Sequence, residues 1–171
     1  RMNLEDEIAY DGALFSNVNL DKTRRQGLEL EGDWRIVPSV LARLTYTYTD
    51  ATFREGMYDG KQIPLVPHNK ASARLSWDGN ALGTYTAVVN YVGQQYYSGD
   101  FSNVQNKMSG YTTADFMAGW NFKPWSISAR LLNAFDKKYS PYAGYSTFRS
   151  DYYYYPADGR TFLMTASYNF R

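Results

Sequence analysis

The sequence predicts an all-β protein, an antiparallel transmembrane β-barrel meander of about eight strands. Three observations support this prediction. Apolar and polar residues alternate along seven segments, short and long connections follow one another in strict alternation, and all four tryptophans lie beside short connections. The composition agrees, because 17 Tyr, 9 Phe and 4 Trp in 171 residues favour strands and membrane boundaries.

Alternation with a period of two is typical of a strand with one apolar and one polar face. It is clear in seven segments, namely 28–36, 40–49, 71–78, 84–91, 114–122, 125–131 and 162–170. An eighth, weaker strand is expected within 2–11, where the alternation is poor. We expect the apolar face to contact lipid through Leu30, Trp34, Leu44, Leu75, Phe116, Trp120, Leu131 and Met164.

The connections between these segments are of two kinds. Residues 37–39, 78–80 and 123–124 are short and contain residues that favour turns. Residues 50–69, 98–110 and 137–159 are long, polar and rich in Gly and Tyr. A meander with short turns at one end and long loops at the other is the plan of an outer-membrane barrel. On this plan both chain ends are expected at the short-turn, periplasmic side.

The tryptophans distinguish a membrane barrel from a soluble β-sandwich. All four share the apolar face and lie within three residues of a short turn: Trp34, Trp77, Trp120 and Trp125. We predict that they form an aromatic girdle at one membrane boundary together with Phe170. A sandwich core, the alternative, has no reason to collect its tryptophans at one end. Tyr46, Tyr48 and Tyr91 lie nearer the long loops and are candidates for a second girdle.

Charges of both signs occupy the polar face: Glu29, Glu31, Asp33, Arg35, Arg43, Arg74, Asp115 and Arg130. They would line the lumen of a barrel or meet water on a sandwich, so the pattern allows both. A regular hairpin around 37–39 places Asp33 opposite Arg43 and predicts a cross-strand pair. The Cα atoms of Glu29 and Glu31 are expected ~7 Å apart on one strand face. Such a carboxylate pair could suggest glycoside hydrolysis, but a polar lumen wall is the favoured interpretation.

Several classes of protein and site are excluded. The chain has no cysteine, which excludes disulfide scaffolds, Cys-based zinc sites and cysteine nucleophiles. The net charge of +1 gives no reason to propose a nucleic-acid partner. No stretch approaches the ~20 apolar residues of a transmembrane helix, and no leader precedes Arg1, so we expect a mature or trimmed chain. Without a phosphate-binding glycine loop or metal-ligand spacing, we predict no cofactor and no metal.

Four segments resemble the TonB-dependent outer-membrane receptors. They are 19–32 (NLDKTRRQGLELEG), 63–72 (IPLVPHNKAS), 132–139 (LNAFDKKY), and 155–170 from YPADGRTF to the closing YNF. The four appear in the order of the family and span most of the chain, so that together they are specific. The resemblance implies an outer-membrane protein of a Gram-negative bacterium that imports a ferric siderophore or similar metal chelate, or in some members cobalamin or a sugar.

The resemblance also implies an incomplete receptor. Members of the family have a 22-stranded barrel closed by an N-terminal plug. Residues 1–171 resemble only the last third or so of such a barrel, with the plug and the TonB box absent. We therefore expect a barrel segment whose partners in the intact receptor are membrane lipids, the plug, the TonB system and a ferric siderophore. A complete small structural barrel without cargo is the alternative.

The long loops contain the candidate ligand contacts. Aromatic rings beside an arginine can stack on a flat chelate and pair with its anionic groups. The candidates are Tyr58, Tyr96, Tyr97, Tyr142, Tyr145, Arg149 and Tyr152. For any one of these tyrosines, packing within the loops is the competing role.

An enzyme is the rival class of function. A Ser-His-Asp arrangement would have to use His68, the single histidine, which lies where a long loop enters a strand. Against this, Pro67-His68-Asn69 belongs to a segment that resembles the receptors, where it has a structural role. We therefore expect no catalytic residue and no enzymatic activity.

Overall fold

Eight strands form one antiparallel sheet in the computed structural model, which describes residues 1–11, 16–146 and 148–170. Each strand of the sheet pairs with its neighbours in chain order, as the predicted meander requires. The strands are β1 (Met2–Leu4), β4 (Thr23–Val37), β5 (Val40–Phe53), β6 (Asn69–Asp78), β7 (Thr84–Val92), β8 (Tyr111–Phe122), β9 (Trp125–Leu132) and β12 (Thr161–Tyr168). The weak eighth strand is therefore present as β1.

The register keeps apolar residues on one face across the whole sheet. One outward row joins seven strands in order: Trp34, Ala42, Leu75, Ala87, Phe116, Leu131 and Phe162. The neighbouring row on the other face joins Asp33, Arg43, Arg74, Val88 and Asp115. A slip of one residue in any pair would exchange these two rows, so each pair is held in register by the same pattern.

The predicted pair of Asp33 and Arg43 is confirmed. The two residues are register partners, and the guanidinium donates from Nε and an Nη to the two carboxylate oxygens, each at 2.6 Å. Such two-pronged pairing fixes geometry as well as adding energy. It ties β4 to β5 on the polar face of the wall.

The outward face is not covered by protein. Trp34 is 68% exposed, Leu44 61% and Met164 63%, although all three lie within regular strands. A soluble sandwich would bury these side chains, and exposed apolar surface on this scale marks a surface that meets another partner. The exposure therefore excludes the sandwich alternative and agrees with a wall that faces lipid.

The sheet is open, with β1 and β12 at its two edges. A small barrel that closes on itself would pair these strands, so the structure corresponds to a segment of a wall. The C-terminal strand runs to the short-turn end, as expected. The expectation that both chain ends lie there was wrong for Arg1, because the adjacent Met2 pairs with Arg25, far along β4 from the turn that follows Val37.

The short connections are tight turns at one end of the sheet. Between β6 and β7, a 3₁₀ turn spans Asn80–Leu82 and is followed by Gly83 with φ of +95°. A Cβ at Gly83 would lie 2.5 Å from the carbonyl oxygen of Gly119, so this position requires glycine.

In the described ranges, no helix has the length and apolar character needed to cross a membrane.

The opposite end carries more structure than the loops predicted from the sequence. The hairpin of β2 (Ile8–Asp11) and β3 (Ser16–Asn19) precedes β4, a 3₁₀ turn spans Gly56–Tyr58, and the hairpin of β10 (Tyr142–Ser146) and β11 (Asp151–Tyr155) lies between β9 and β12. Two buried clusters lie at this end. One is formed by Leu20, Ala51, Phe53, Ile63 and Phe101, and the other by Tyr97, Met108 and Ala143. The loop end therefore has packed cores of its own.

Candidate functional site

The β10–β11 hairpin divides its tyrosines between two faces. Tyr142 pairs with Tyr155 and Gly144 with Tyr153, which places these residues on one face. Ala143 pairs with Tyr154 and Tyr145 with Tyr152, on the opposite face. Four consecutive tyrosines, which show no alternation in sequence, thus acquire two different environments.

One face packs against the loop between β7 and β8. The ring centroids of Tyr97 and Tyr152 are 4.6 Å apart, and those of Tyr145 and Tyr152 are 5.1 Å apart. The Tyr152 hydroxyl donates to Gln105 Oε1 at 2.9 Å, and the hydroxyls of Tyr97 and Tyr154 lie 3.2 Å apart. Tyr97, Tyr145 and Tyr152, proposed as ligand contacts from the sequence, therefore hold this hairpin in place.

The other face lines an open cleft of about 430 Å³. Its walls include the rings of Tyr142, Tyr153 and Tyr155 from the hairpin and Tyr10 from the β2–β3 hairpin. One residue of each charge, Arg149 and Asp151, also lines it. No ion pair of Arg149 occurs within the residues that the structure describes, and its side chain is exposed. The cleft thus offers three adjacent phenols and a guanidinium that can pair with an anion.

Backbone bonds fix the hairpin to Ser98 of the neighbouring loop. The Ser98 amide donates to the Ala143 carbonyl at 3.0 Å, and the Tyr145 amide donates to the Ser98 carbonyl at 3.1 Å. The Tyr142 hydroxyl donates to Ser98 Oγ at 3.0 Å. One wall of the cleft is therefore held in place by these bonds, and a wall fixed in advance lowers the entropy that binding of a ligand costs.

Two phenols of this region, Tyr97 and Tyr153, have a raised pKa. Burial, followed by the hydrogen bond with Tyr154, raises the pKa of Tyr97 to about 12. Burial and the hydrogen bond with Tyr142 raise the pKa of Tyr153 to about 12. These groups can stack on a ligand or donate hydrogen bonds to it, but they are poorly suited to coordinate iron as phenolates.

The remaining two sequence candidates lie outside the cleft. Tyr58 packs in the first buried cluster, with ring centroids 5.6 Å from Phe53 and 5.5 Å from Phe101. Tyr96 lies beneath the Lys107 ammonium group, which is 4.7 Å from its ring centroid. Of the seven candidates, the cleft brings together Tyr142 and Arg149, along with Tyr152 at its edge.

Sequence reasoning missed Tyr10 as a member of the cleft, and it did not single out Tyr153 and Tyr155 within the run of aromatic loop residues 152–155. Tyr153 and Tyr155 could have been recognised from the pairing of alternate residues, in which 142, 144 and 146 lie opposite 155, 153 and 151. That pairing is apparent only when residues 137–159 are interpreted as a hairpin. Sequence reasoning also missed Asn133, which is buried and donates to the carbonyls of Lys137 and Asp158 at 3.0 and 3.2 Å. Asn133 thereby clamps the two ends of the segment that carries β10 and β11.

His68 lies in a polar network of the loops. Gln62 Nε2 contacts His68 Nε2, and Lys107 Nζ donates to Gln62 Oε1 at 3.0 Å. No serine hydroxyl or carboxylate is among the hydrogen-bond partners of His68 in the described ranges. No cluster of three or more His, Asp and Glu side chains suited to a metal occurs among the described residues either.

The tryptophans at the short-turn end form two groups of aromatic contacts. Tyr85 stacks on Trp77 at 5.4 Å between ring centroids and accepts a hydrogen bond from Trp120 Nε1 at 3.1 Å. The Tyr168 ring lies 4.9 Å from Trp125 and 4.8 Å from Phe170. Trp34 is exposed on the same face.

Comparisons with known proteins agree with this architecture. The family model described as "TonB dependent receptor-like, beta-barrel" matches residues 1–134. The ferrioxamine B receptor of Salmonella typhimurium is 29% identical over 130 residues, covering 71% of this chain and 18% of that protein. The iron-regulated outer membrane virulence protein of Vibrio cholerae is 28% identical over 149 residues, covering 86% of this chain and 22% of that protein.

Solved structures show the same fold. The ferric yersiniabactin uptake receptor FyuA of Yersinia pestis superimposes with a TM-score of 0.78 and 26% identity, covering 99% of this chain and 26% of the other. Compared with the Salmonella and Vibrio relatives, the chain spans about a fifth of their length.

Proposed function

Since the chain belongs to the TonB-dependent receptor-like β-barrel family, we propose that it forms wall and extracellular rim of a receptor for a ferric siderophore or similar metal chelate. Its place is the outer membrane of a Gram-negative bacterium. The observation that carries the proposal is the division of the chain into an outward apolar wall and a packed loop end with an aromatic cleft that contains Arg149.

Similarity to iron-uptake receptors supports a ferric cargo. They include receptors for ferrioxamine B and ferric yersiniabactin and a catecholate siderophore receptor of Escherichia coli, which is 25% identical over 177 residues. In this chain, Tyr142, Tyr153 and Tyr155 would stack on or donate to the chelate, while Arg149 would pair with its negative charge. Tyr58, Tyr97, Tyr145 and Tyr152 would keep the loops packed around it.

Partners of the intact receptor follow from the two faces of the wall. The outward face would contact membrane lipids, with Trp34, Trp77, Trp120, Trp125 and Phe170 at the periplasmic boundary. The inward face would surround an N-terminal plug, which in turn would connect transport to the TonB system. Arg130 supports this arrangement. It lies on the inward face opposite Met117 and Leu163 and has no ion pair among the described residues, so its charge would be available to pair with the plug.

A transport role accounts for the chain without catalysis. His68 is engaged by Gln62 rather than by a nucleophile, and the family consists of transport receptors. The measurement that separates the classes is His68→Ala in the intact receptor. Loss of a hydrolytic activity together with unchanged iron uptake would favour the enzyme.

Uptake of radioactive iron tests the transport proposal. Cells that make the intact receptor as their single siderophore receptor are supplied with iron bound to ferrioxamine B, yersiniabactin or a catecholate. We expect uptake of at least one chelate, and we expect it to stop when TonB is removed. Absence of uptake with all three, at normal outer-membrane levels of the receptor, would favour a structural barrel without cargo.

Substitution of Arg149 tests the cleft. Arg149→Gln removes the charge and should lower affinity for the transported chelate by ~1–3 kcal/mol, about 5- to 150-fold, because a charge-assisted contact is lost. Arg54→Gln is the matched control, since Arg54 is an exposed loop arginine outside the cleft. Equal affinities of the two variants would remove Arg149 from the site.

A further inference from the structure

Two clefts on the outward side of the wall lie next to one another and share Tyr91. The first is an apolar groove of about 580 Å³ between β4 and β7. The second, of about 510 Å³, lies at the point where β6 and β7 meet the loops. Together they present an apolar and a polar surface side by side.

Small residues form the floor of the apolar groove. Ala71 and Ala73 on β6 lie between the larger side chains of β5 and β7, with Leu44 opposite Ala73 and Tyr91 opposite Ala71. Gly32 on β4 lies on the other side of Leu44, which is 61% exposed. No atom lies within 4 Å of the position that a Gly32 Cβ would occupy, so the depression is open to the outside. It crosses four strands, about 14 Å at the usual strand spacing.

The polar cleft carries cationic and amide groups. Lys107, His68, Asn69 and Gln94 line it, and none of its described lining residues is acidic. Lys107 is half-buried, and its ammonium group donates to the uncharged Gln62 Oε1 and lies over the Tyr96 ring. It has no carboxylate partner among the described residues, and a partly buried charge without a counter-ion is costly. An anion in the cleft would supply that counter-ion.

A hydrogen bond connects the two surfaces. Tyr46, on the rim of the groove, donates from its hydroxyl to Asn69 Oδ1 in the polar cleft at 2.6 Å. Tyr46 and Tyr91 thus stand between apolar wall and polar loops, the level at which tyrosine is enriched in membrane proteins. An anionic headgroup beside Lys107 would have its hydrocarbon directly over the groove.

We propose that the two clefts together bind one anionic, phosphate-bearing membrane lipid. Its phosphate pairs with Lys107, and one acyl chain lies over Ala71 and Ala73 on β6, between the side chains of β5 and β7. Charge complementarity selects an anion, and the adjoining groove on the lipid-exposed face selects a lipid over a free phosphate ion. This site is separate from the chelate cleft, which is lined by Tyr10 and the β10–β11 hairpin.

Lipid titration of the intact receptor tests the proposal. The receptor, purified in dodecyl maltoside, is titrated with dioctanoyl phosphatidic acid, dioctanoyl phosphatidylcholine or inorganic phosphate, and bound molecules are counted by native mass spectrometry. We expect one phosphatidic acid bound more tightly than phosphatidylcholine. Lys107→Gln should weaken it about fivefold, the effect of one basic residue near an anionic surface, while Lys107→Arg should retain it. Ala73→Leu, which fills the groove, should weaken both lipids.

The controls carry the same chemical changes outside the two clefts. Lys61→Gln removes an exposed loop lysine, and Ala129→Leu enlarges an outward alanine of β9. Both should bind phosphatidic acid as the wild type does, and each variant is required to keep the heat-modifiable gel mobility of a folded barrel. Equal phosphatidic acid affinity in the wild type and Lys107→Gln would overturn the proposal. So would displacement of the lipid by inorganic phosphate at the same concentration, which would indicate an anion cleft without a lipid.

Discussion

Gly144 determines how the Tyr153 ring lies in the cleft. A Cβ at this position would be 2.1 Å from Tyr153 Cζ, so Gly144→Ala must turn the ring or separate the hairpin. Strain of this kind costs ~1–3 kcal/mol. We expect weaker chelate affinity and faster proteolysis of the hairpin in the intact receptor. The control is Gly32→Ala, where a Cβ meets open space, and equal effects of the two changes would contradict this role.

Tyr145 and Arg149 separate packing from ligand contact. Tyr145→Ala removes an aromatic pair with Tyr152, worth ~0.5–1.5 kcal/mol beyond its buried area, and should make the hairpin more sensitive to protease. Arg149→Gln should leave protease sensitivity unchanged, because the side chain is exposed. Limited proteolysis of the two variants measures the difference. Equal resistance of the two variants to protease would contradict a packing role for Tyr145.

The raised pKa of Tyr97 makes loop packing sensitive to high pH. Its ordinary value is 10.0 and burial raises the pKa to about 12, so the folded loop holds the proton more tightly than the unfolded chain. The resulting stabilisation is complete below pH 10 and is lost as the pH rises towards 12. We expect the tyrosinate absorbance that disappears in Tyr97→Phe to titrate near pH 12. A midpoint near 10 would show that the phenol is exposed to water.

Among the elements, β5 gives the clearest test of which face meets lipid. Leu44 points outward and is 61% exposed, whereas Thr45 lies on the polar face opposite Glu31 and Ser72. An arginine on the lipid side near the membrane centre costs ~2–4 kcal/mol, while inward positions tolerate polar groups. Leu44→Arg should therefore lower the free energy of unfolding far more than Thr45→Arg. Urea unfolding of the receptor in bilayers measures both, and comparable losses would reverse the two faces.

The strands of the wall were predictable because one repeated pattern fixes them. Alternation placed seven strands, and the short turn at 37–39 fixed the pairing of Asp33 with Arg43. The hairpins at the loop end were not predictable in the same way. Tyr152–Tyr155 is a run of one residue type, so its two faces become distinct only through contacts with Tyr97 and Ser98, which are distant in sequence. Tyr10 reaches the cleft from a hairpin that the weak alternation of 2–11 did not indicate.

For the whole molecule, the prediction to test is which end of the wall lies outside the cell. Gly60 lies at the loop end and Gly79 in the turn between β6 and β7, at opposite ends of the wall. In intact cells, a cysteine at position 60 should react with a membrane-impermeant label, because the loops are expected outside. A cysteine at position 79 should react only after the outer membrane is opened. Label at 79 but not at 60 would invert the orientation.

The connections between loops limit how new specificities can be engineered. Gln62 exchanges hydrogen bonds with Asn103 at 2.6 and 2.9 Å, and Ser98 exchanges backbone bonds with the β10–β11 hairpin. A chimera that receives residues 137–159 alone from a relative would lose the partners of Ser98 and Gln105. Transplantation of the three long loops together with the β2–β3 hairpin as one cassette would keep those partners, the first buried cluster and the cleft together.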